Sequence, residues 1–198
     1  MRTTRFAALT VTAVFALAAC GGGDDSGSAA SSPSVSAESS VGAHNAQDVS
    51  FAQGMIPHHQ QAIEMAELAD GRAASAQVKD LAARVEKAQG PEITTMTGWL
   101  KAWDEKVPES MPGMDHSGMD GMAGMMDSAD MGKLKKASGK DFDSMFLTMM
   151  VEHHEGAVEM ATTEKAKGED KAATAMAGDI VTAQNAEISE MKKLLGEN

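Results

Sequence analysis

Residues 51–66, FAQGMIPHHQQAIEMA, and residues 146–161, FLTMMVEHHEGAVEMA, are two versions of one segment. They lie at a constant offset of 95, and continuing that register without a gap aligns 51–100 with 146–195 at 15 identical positions of 50. The identities include Phe51/Phe146, Met55/Met150, His58/His153, His59/His154, Glu64/Glu159, Met65/Met160, Gln89/Gln184, Glu92/Glu187, Ile93/Ile188 and Met96/Met191. Self-similarity of this kind marks a duplicated structural unit. Apolar residues recur at three- and four-residue spacing through both copies, which predicts helices. Asp70-Gly71-Arg72 and Lys167-Gly168-Glu169-Asp170 supply a break in each half, so each copy reads as a helical hairpin. One hairpin cannot cover its own apolar stripe, and two of them predict an all-α, up-down four-helix bundle.

On a wheel of about 100° per residue with His58 at zero, Phe51, Met55, Ala62, Ala66 and Ala69 fall within roughly 20 to 80° and define the buried stripe. His58 borders that stripe on one side, His59 near 100° borders it on the other, and Met65 lies near −20°. Glu64 and Glu67 fall on the opposite, solvated side, and His153, His154 and Met160 repeat the same phases. In the second helix of the first half, Leu81, Val85, Ala88, Met96, Trp99 and Trp103 share a face, and Glu92 falls inside it. Glu187 has the matching place among Met176, Ile180, Ala183, Met191 and Leu194. A buried carboxylate needs a partner, and the paired histidines of the neighbouring helices are the partners on offer. Glutamate and histidine drawn from facing helices are a recurrent way to hold a metal in a bundle core, either as ligands or as carboxylates behind ligating imidazoles. The alternative is a metal-free polar network that keeps the helices in register. Gly90-Pro91 predicts a kink just before Glu92; a helix restarting there would instead place Glu92 in a first turn.

Between the halves, residues 105–138 read as a long irregular crossover containing His116 and seven methionines: Met111, Met114, Met119, Met122, Met125, Met126 and Met131. Glycine and aspartate punctuate them, so core filling does not account for them. Thioether is a soft, neutral ligand suited to Cu(I) and Ag(I), whereas zinc, calcium and magnesium would not select it. The expected cofactor is therefore copper, as Cu(I) or Cu(II), with iron as the alternative.

The chain opens MRTTRFAALTVTAVFALAAC, in which Arg2 and Arg5 precede an uncharged apolar run too short for a good membrane span. This predicts an export signal over 1–20, and Leu17-Ala18-Ala19-Cys20 resembles the lipobox of bacterial lipoproteins, which implies lipidation of Cys20. Residues 21–47 are rich in Gly, Ser, Ala and Asp and read as a flexible tether with a reach on the order of 30 Å. The bundle then occupies 48–198, held at the outer face of the cell membrane by its N-terminal lipid alone. With one Cys, 17 Met, no Tyr and 4% aromatic residues, neither a disulfide framework nor a cysteine zinc site can be built. Loss of Arg2 and Arg5 takes the formal charge from −12 to −14, which argues against nucleic acid and anionic lipid as partners. A second copy of the chain and a metal-transfer protein are the protein partners left open.

The two segments GMIPHHQQAIEMA and MMVEHHEGAVEMA resemble the domain-of-unknown-function family numbered 305, over roughly residues 48–198. The resemblance implies an exported, ferritin-like four-helix bundle with Met, His-His and Met on the first helix of each hairpin. It is also similar to periplasmic copper-binding members of that family, which use Met and His against copper and silver. Carried over by position, the motif residues are Met55, His58, His59, Met65, Met150, His153, His154 and Met160. The first functional expectation is a copper or silver buffer or chaperone without turnover. A ferritin-like metal oxidase using Glu92, Glu187 and the four histidines is the second. It is disfavoured because Met55 and Met150, not glutamates, stand three residues before each His pair. A metal-free interaction module is the third.

Overall fold

The computed structural model describes residues 42–109 and 122–196. Six helices follow in order: α1 Ala46–Glu67, α2 Ala69–Arg72, α3 Ala76–Ala102, α4 Ser128–Leu134, α5 Gly139–Lys167 and α6 Lys171–Leu195. The four long ones form the bundle. Helix α1 packs along α3, α5 along α6, and the two hairpins meet through α1 and α5. His58 meets His153 midway along these helices, and Asp48 at the start of α1 meets Glu164 near the end of α5, so the two run antiparallel. Among the described residues no helix is long and apolar enough to cross a membrane.

Local chemistry explains the boundaries. Asn45 caps α1 in a reciprocal box with Asp48, and Ser75 and Asp170, themselves 95 residues apart, cap α3 and α6 through their side chains. Pro57 and Pro91 lie inside α1 and α3, and both helices continue through them. Glu92 is therefore a mid-helix residue, not a first-turn one. The break of the first hairpin comes later than Asp70-Gly71-Arg72 suggests, because α2 carries those residues into one more helical turn and the chain reverses at 73–75. The crossover is also less irregular than its composition implies: Asp127 caps the short helix α4, which buries Met131 and Leu134.

The buried apolar residues form two clusters rather than one. The first gathers Met65, Val78, Leu81, Val85, Met126, Met131, Phe142, Phe146 and Met150 among others, and the second Phe51, Met55, Ile56, Met96, Leu100, Ala157 and Ile180. The histidines, midway along α1 and α5, belong to neither. The hairpins also repeat one another's hydrogen bonds at the offset of 95. Asp143 accepts the N–H groups of Ala74 and Ser75 at 3.0 and 2.9 Å, and Asp48 accepts those of Glu169 and Asp170 at 3.1 and 3.0 Å.

The symmetry breaks where the end of the crossover lies on the bundle. Gln61 donates to the carbonyl of Met126 at 2.8 Å and accepts its N–H at 2.7 Å, which pins this strand to α1. The matching position in α5 is Gly156, where any side chain would overlap the Ala123 carbonyl. Gly124 takes a positive φ of 80° while facing the Glu152 and His153 carbonyls, so neither glycine tolerates a β-carbon. Gly156→Ala is accordingly expected to destabilise by about 1–3 kcal/mol through forced displacement of the crossover. Gly90, with open space around it in mid-helix, is expected to gain up to about 1 kcal/mol on replacement by Ala. Urea denaturation of both variants checks this, and equal effects would contradict the close packing.

Candidate metal centre

Four imidazoles are buried in the middle of the molecule. His58, His59, His153 and His154 are each essentially inaccessible to solvent, as expected for residues flanking the apolar stripe of a helix that has neighbours on both sides. The rings of His58 and His153 lie 3.8 Å apart, centroid to centroid, at an interplanar angle of 44°, and His153 and His154 are 6.4 Å apart. His59 Nε2 lies 2.7 Å from Glu92 Oε2, and His154 Nε2 lies 2.8 Å from Glu187 Oε2. The pairing expected from the helical phases is present in both halves. The glutamates themselves are not sealed inside the stripe: their side chains are 25% and 16% exposed. Only the carboxylate end reaches the imidazole, and residual hydration lowers the cost of keeping it charged.

These partners fix which ring nitrogen is free. A carboxylate accepts only, so the Nε2 of His59 and of His154 must donate, and in the neutral ring that leaves Nδ1 as a lone pair. His58 Nε2 faces the Ala123 carbonyl at 3.1 Å and is likewise the donor. The Nδ1 atoms of His58, His59 and His154 have no hydrogen-bond partner, and neither nitrogen of His153 has one. Buried side-chain acceptors left unpaired each cost about 1–3 kcal/mol, and Gln89 and Gln184 add an unpaired Oε1 apiece, again 95 residues apart. Burial first, and then the neighbouring His59, pushes His58 down to about 3. Burial, with His58, His154 and His59 close by, holds His153 well below the ordinary imidazole range. Both rings are neutral at physiological pH, the form that binds metals.

The methionines divide. Met55, Met65 and Met150 are fully buried, in the clusters on either side of the histidines. Met160, expected to repeat Met65, is only half-buried, and its sulfur lies near Gly54 together with the methyl of Met122. Met122 and Met125 are half-buried, whereas Met126 and Met131 are 6% and 3% exposed and belong to the core. For these last two, core filling does apply, because the Gln61 clamp and α4 carry them inward. Met111, Met114, His116 and Met119 lie outside the described residues, as does Cys20. Sequence patterning gave no role to Gln61, whose grip on the crossover has no periodic signal. Among the described residues no three imidazole, thiol or carboxylate groups converge into a ready metal cage.

Known proteins share this architecture. A DUF305 protein of Streptomyces coelicolor described as secreted is 35% identical, with a TM-score of 0.68 and coverage of 76% of this chain and 92% of that one. The Cu(II)-bound form of CopM is 35% identical, with a TM-score of 0.65 and coverage of 75% and 95%. CopM matches also in its Cu(I)-bound and Ag-bound forms, at 33% and 34% identity. No curated protein matches the chain. Residues 48–195, which take in both hairpins and the crossover, match the family described as Domain of unknown function (DUF305), and the chain belongs to that family.

Proposed function

We propose that this chain is an exported, lipid-anchored binding protein for a soft transition metal, copper or silver, and that it serves as a buffer or chaperone in metal homeostasis. One observation carries the reading. Three buried imidazoles are held by a carboxylate or carbonyl on Nε2 while their Nδ1 lone pairs are left without a partner, and a fourth, His153, has both nitrogens free. A carboxylate behind the distal nitrogen is the usual support of a ligating histidine, since it sets the tautomer and raises basicity. Among the described residues no three imidazole, thiol or carboxylate groups converge, and thioether is the other ligand type on offer, which favours Cu(I) and Ag(I) over zinc or iron. The copper- and silver-bound states of CopM, at 33–35% identity, support the same choice. Met122 and Met160, half-buried and close together beside Gly54, are thioethers within reach of solvent, and the rest of the crossover is the proposed capture segment.

A competition titration of the full chain with Cu(I), Ag(I), Zn(II) and Fe(II) tests this: Cu(I) and Ag(I) are expected to win, and preference for either of the others, or no binding at all, overturns it. Glu92→Gln and Glu187→Gln should each lower Cu(I) affinity by about 10–100-fold with helicity unchanged. Equal affinity would reduce the two glutamates to structural partners. Leucine at Met111, Met114, Met119, Met122 and Met125 should weaken Cu(I) capture without altering the melt, provided that the core residues Met126 and Met131 are left in place. The buried rings have an acid signature as well. The folded value of His58 lies below its ordinary 6.5, so the unfolded chain binds the extra proton, and stability present above about 6.5 is lost as pH falls toward 3. In the metal-free protein the ring resonances of His58 and His153 should therefore stay those of neutral imidazole from about pH 8 to about pH 5, and titration of either near 6.5 would contradict their sealed environment.

A further inference from the structure

Asp48 and Glu164 are both fully buried, where the first turn of α1 meets the turn between α5 and α6. Asp48 accepts backbone N–H groups from Asn45 at 2.6 Å, Glu169 at 3.1 Å and Asp170 at 3.0 Å. Neither oxygen of Glu164 has a partner in good hydrogen-bond geometry, and the donor that acts on it, the Gln47 amide, does not offset its burial. The two carboxyl groups flank Gly168 so closely that a side chain at that position would collide with both. The other half of the molecule provides an internal control. There Asp143 holds the N–H groups of Ala74 and Ser75 in the same way, but the position matching Glu164 is Ala69, equally buried. Clamping a turn to a helix start thus needs one carboxylate, and the second is extra.

Two ionised carboxylates in contact, away from water, repel strongly. Because N–H donors converge on Asp48, it is the member that keeps its charge, and a proton on Glu164 converts the opposed acceptors into an O–H···O⁻ hydrogen bond. We propose that Asp48 and Glu164 form a carboxylic acid–carboxylate pair whose single proton fastens the α5–α6 turn to the start of α1, and whose loss loosens that end of the bundle.

The groups facing Glu164 are Asp48 and the Gln47 amide from α1 and Asp170 from the cap of α6, so both charges acting on it are negative. Burial first, then the hydrogen bond with Asp48 and its charge, pushes Glu164 up to about 8, with the Gln47 amide working the other way. For Asp48, burial pushes upward, but the hydrogen bonds from Asn45, Glu164, Glu169 and Asp170 outweigh it and hold the group below the ordinary carboxylate range. Glu164 thus has a folded value above its ordinary 4.5, and its contribution is intact at low pH and lost as pH rises through about 8. A hard divalent cation is the competing occupant, and the absence of any three converging carboxylates among the described residues speaks against it.

The test compares the full chain with Glu164→Gln and Glu164→Ala, the latter reproducing the arrangement of the other half. The wild type is expected to lose several degrees of melting temperature between about pH 6 and about pH 9 that neither variant loses. Over the same range the Glu169 and Asp170 amides should exchange faster than base catalysis alone predicts, in the wild type only. Parallel melting curves for all three proteins overturn the proposal. So does a Glu164 carboxyl carbon that titrates at or below about 5 in the wild type, a measurement that stands even if a variant fails to fold. Stabilisation of the wild type by calcium or magnesium at about pH 9, abolished in Glu164→Gln, overturns it in favour of a cation site.

Discussion

The contact between His58 and His153 is the constraint around which the rest is arranged. Two equivalent residues of the duplicated hairpins meet at 3.8 Å, so the local two-fold relation between the halves passes between their rings. Above and below lie separate aliphatic and methionine clusters, and the imidazole layer is what separates them. Close-packed apolar cores do not tolerate such a layer for stability alone, since several ring nitrogens and two glutamine oxygens in it are left without partners. Replacing the layer by leucine would fill the same space at lower cost, so packing alone does not account for it.

The crossover is where two nearly equal halves become one directional molecule. Gln61 and Gly156 occupy matching positions, yet one grips the Met126 backbone and the other vacates room for the Ala123 carbonyl. That carbonyl then bonds His58, while its counterpart His153 bonds nothing. The two central imidazoles therefore differ in freedom: one is orientated by the crossover, the other only by packing. On the function proposed above, an ion at the layer would meet one prearranged ring and one adjustable ring, and the segment that arranges the first runs on in sequence into the methionine-rich residues. The proposed capture segment and the histidine layer would then be connected through a single hydrogen bond.

Much of this was legible from periodicity. The helical phases placed four histidines at the border of the core and set Glu92 and Glu187 opposite them, and both His–Glu hydrogen bonds are present at 2.7 and 2.8 Å. Helical phase reports which way a residue points but not how far its end reaches, hence the expectation of sealed carboxylates where the structure leaves them partly hydrated. The roles of Gln61 and Gly156 were hidden because they depend on a strand 65 residues away for Gln61 and nearer for Gly156, and no local pattern encodes that meeting. The burial of Met126 and Met131 has no local signal for the same reason: a glycine-punctuated segment cannot make a core of its own, but it can be pinned onto one that exists. Glu164 is not marked by the repeat, because its chemistry lies in a difference from Ala69 and not in an identity.

The distribution of carboxylates also bears on the choice between holding a metal and turning it over. A ferritin-like oxidase needs carboxylate oxygens that bridge or share two ions and follow the change in oxidation state. Here Glu92 and Glu187 are committed to the Nε2 of His59 and His154, on the far side of each ring from the free Nδ1. An ion bound at Nδ1 would be separated from each carboxylate by a whole imidazole, close enough to feel its charge and too far to be bridged by it. Neutral imidazole and thioether donors with charge held one layer back would suit the soft ion of the proposed function. Redox chemistry on two carboxylate-bridged ions would need those same carboxylates turned inward, against the hydrogen bonds that orient the histidines.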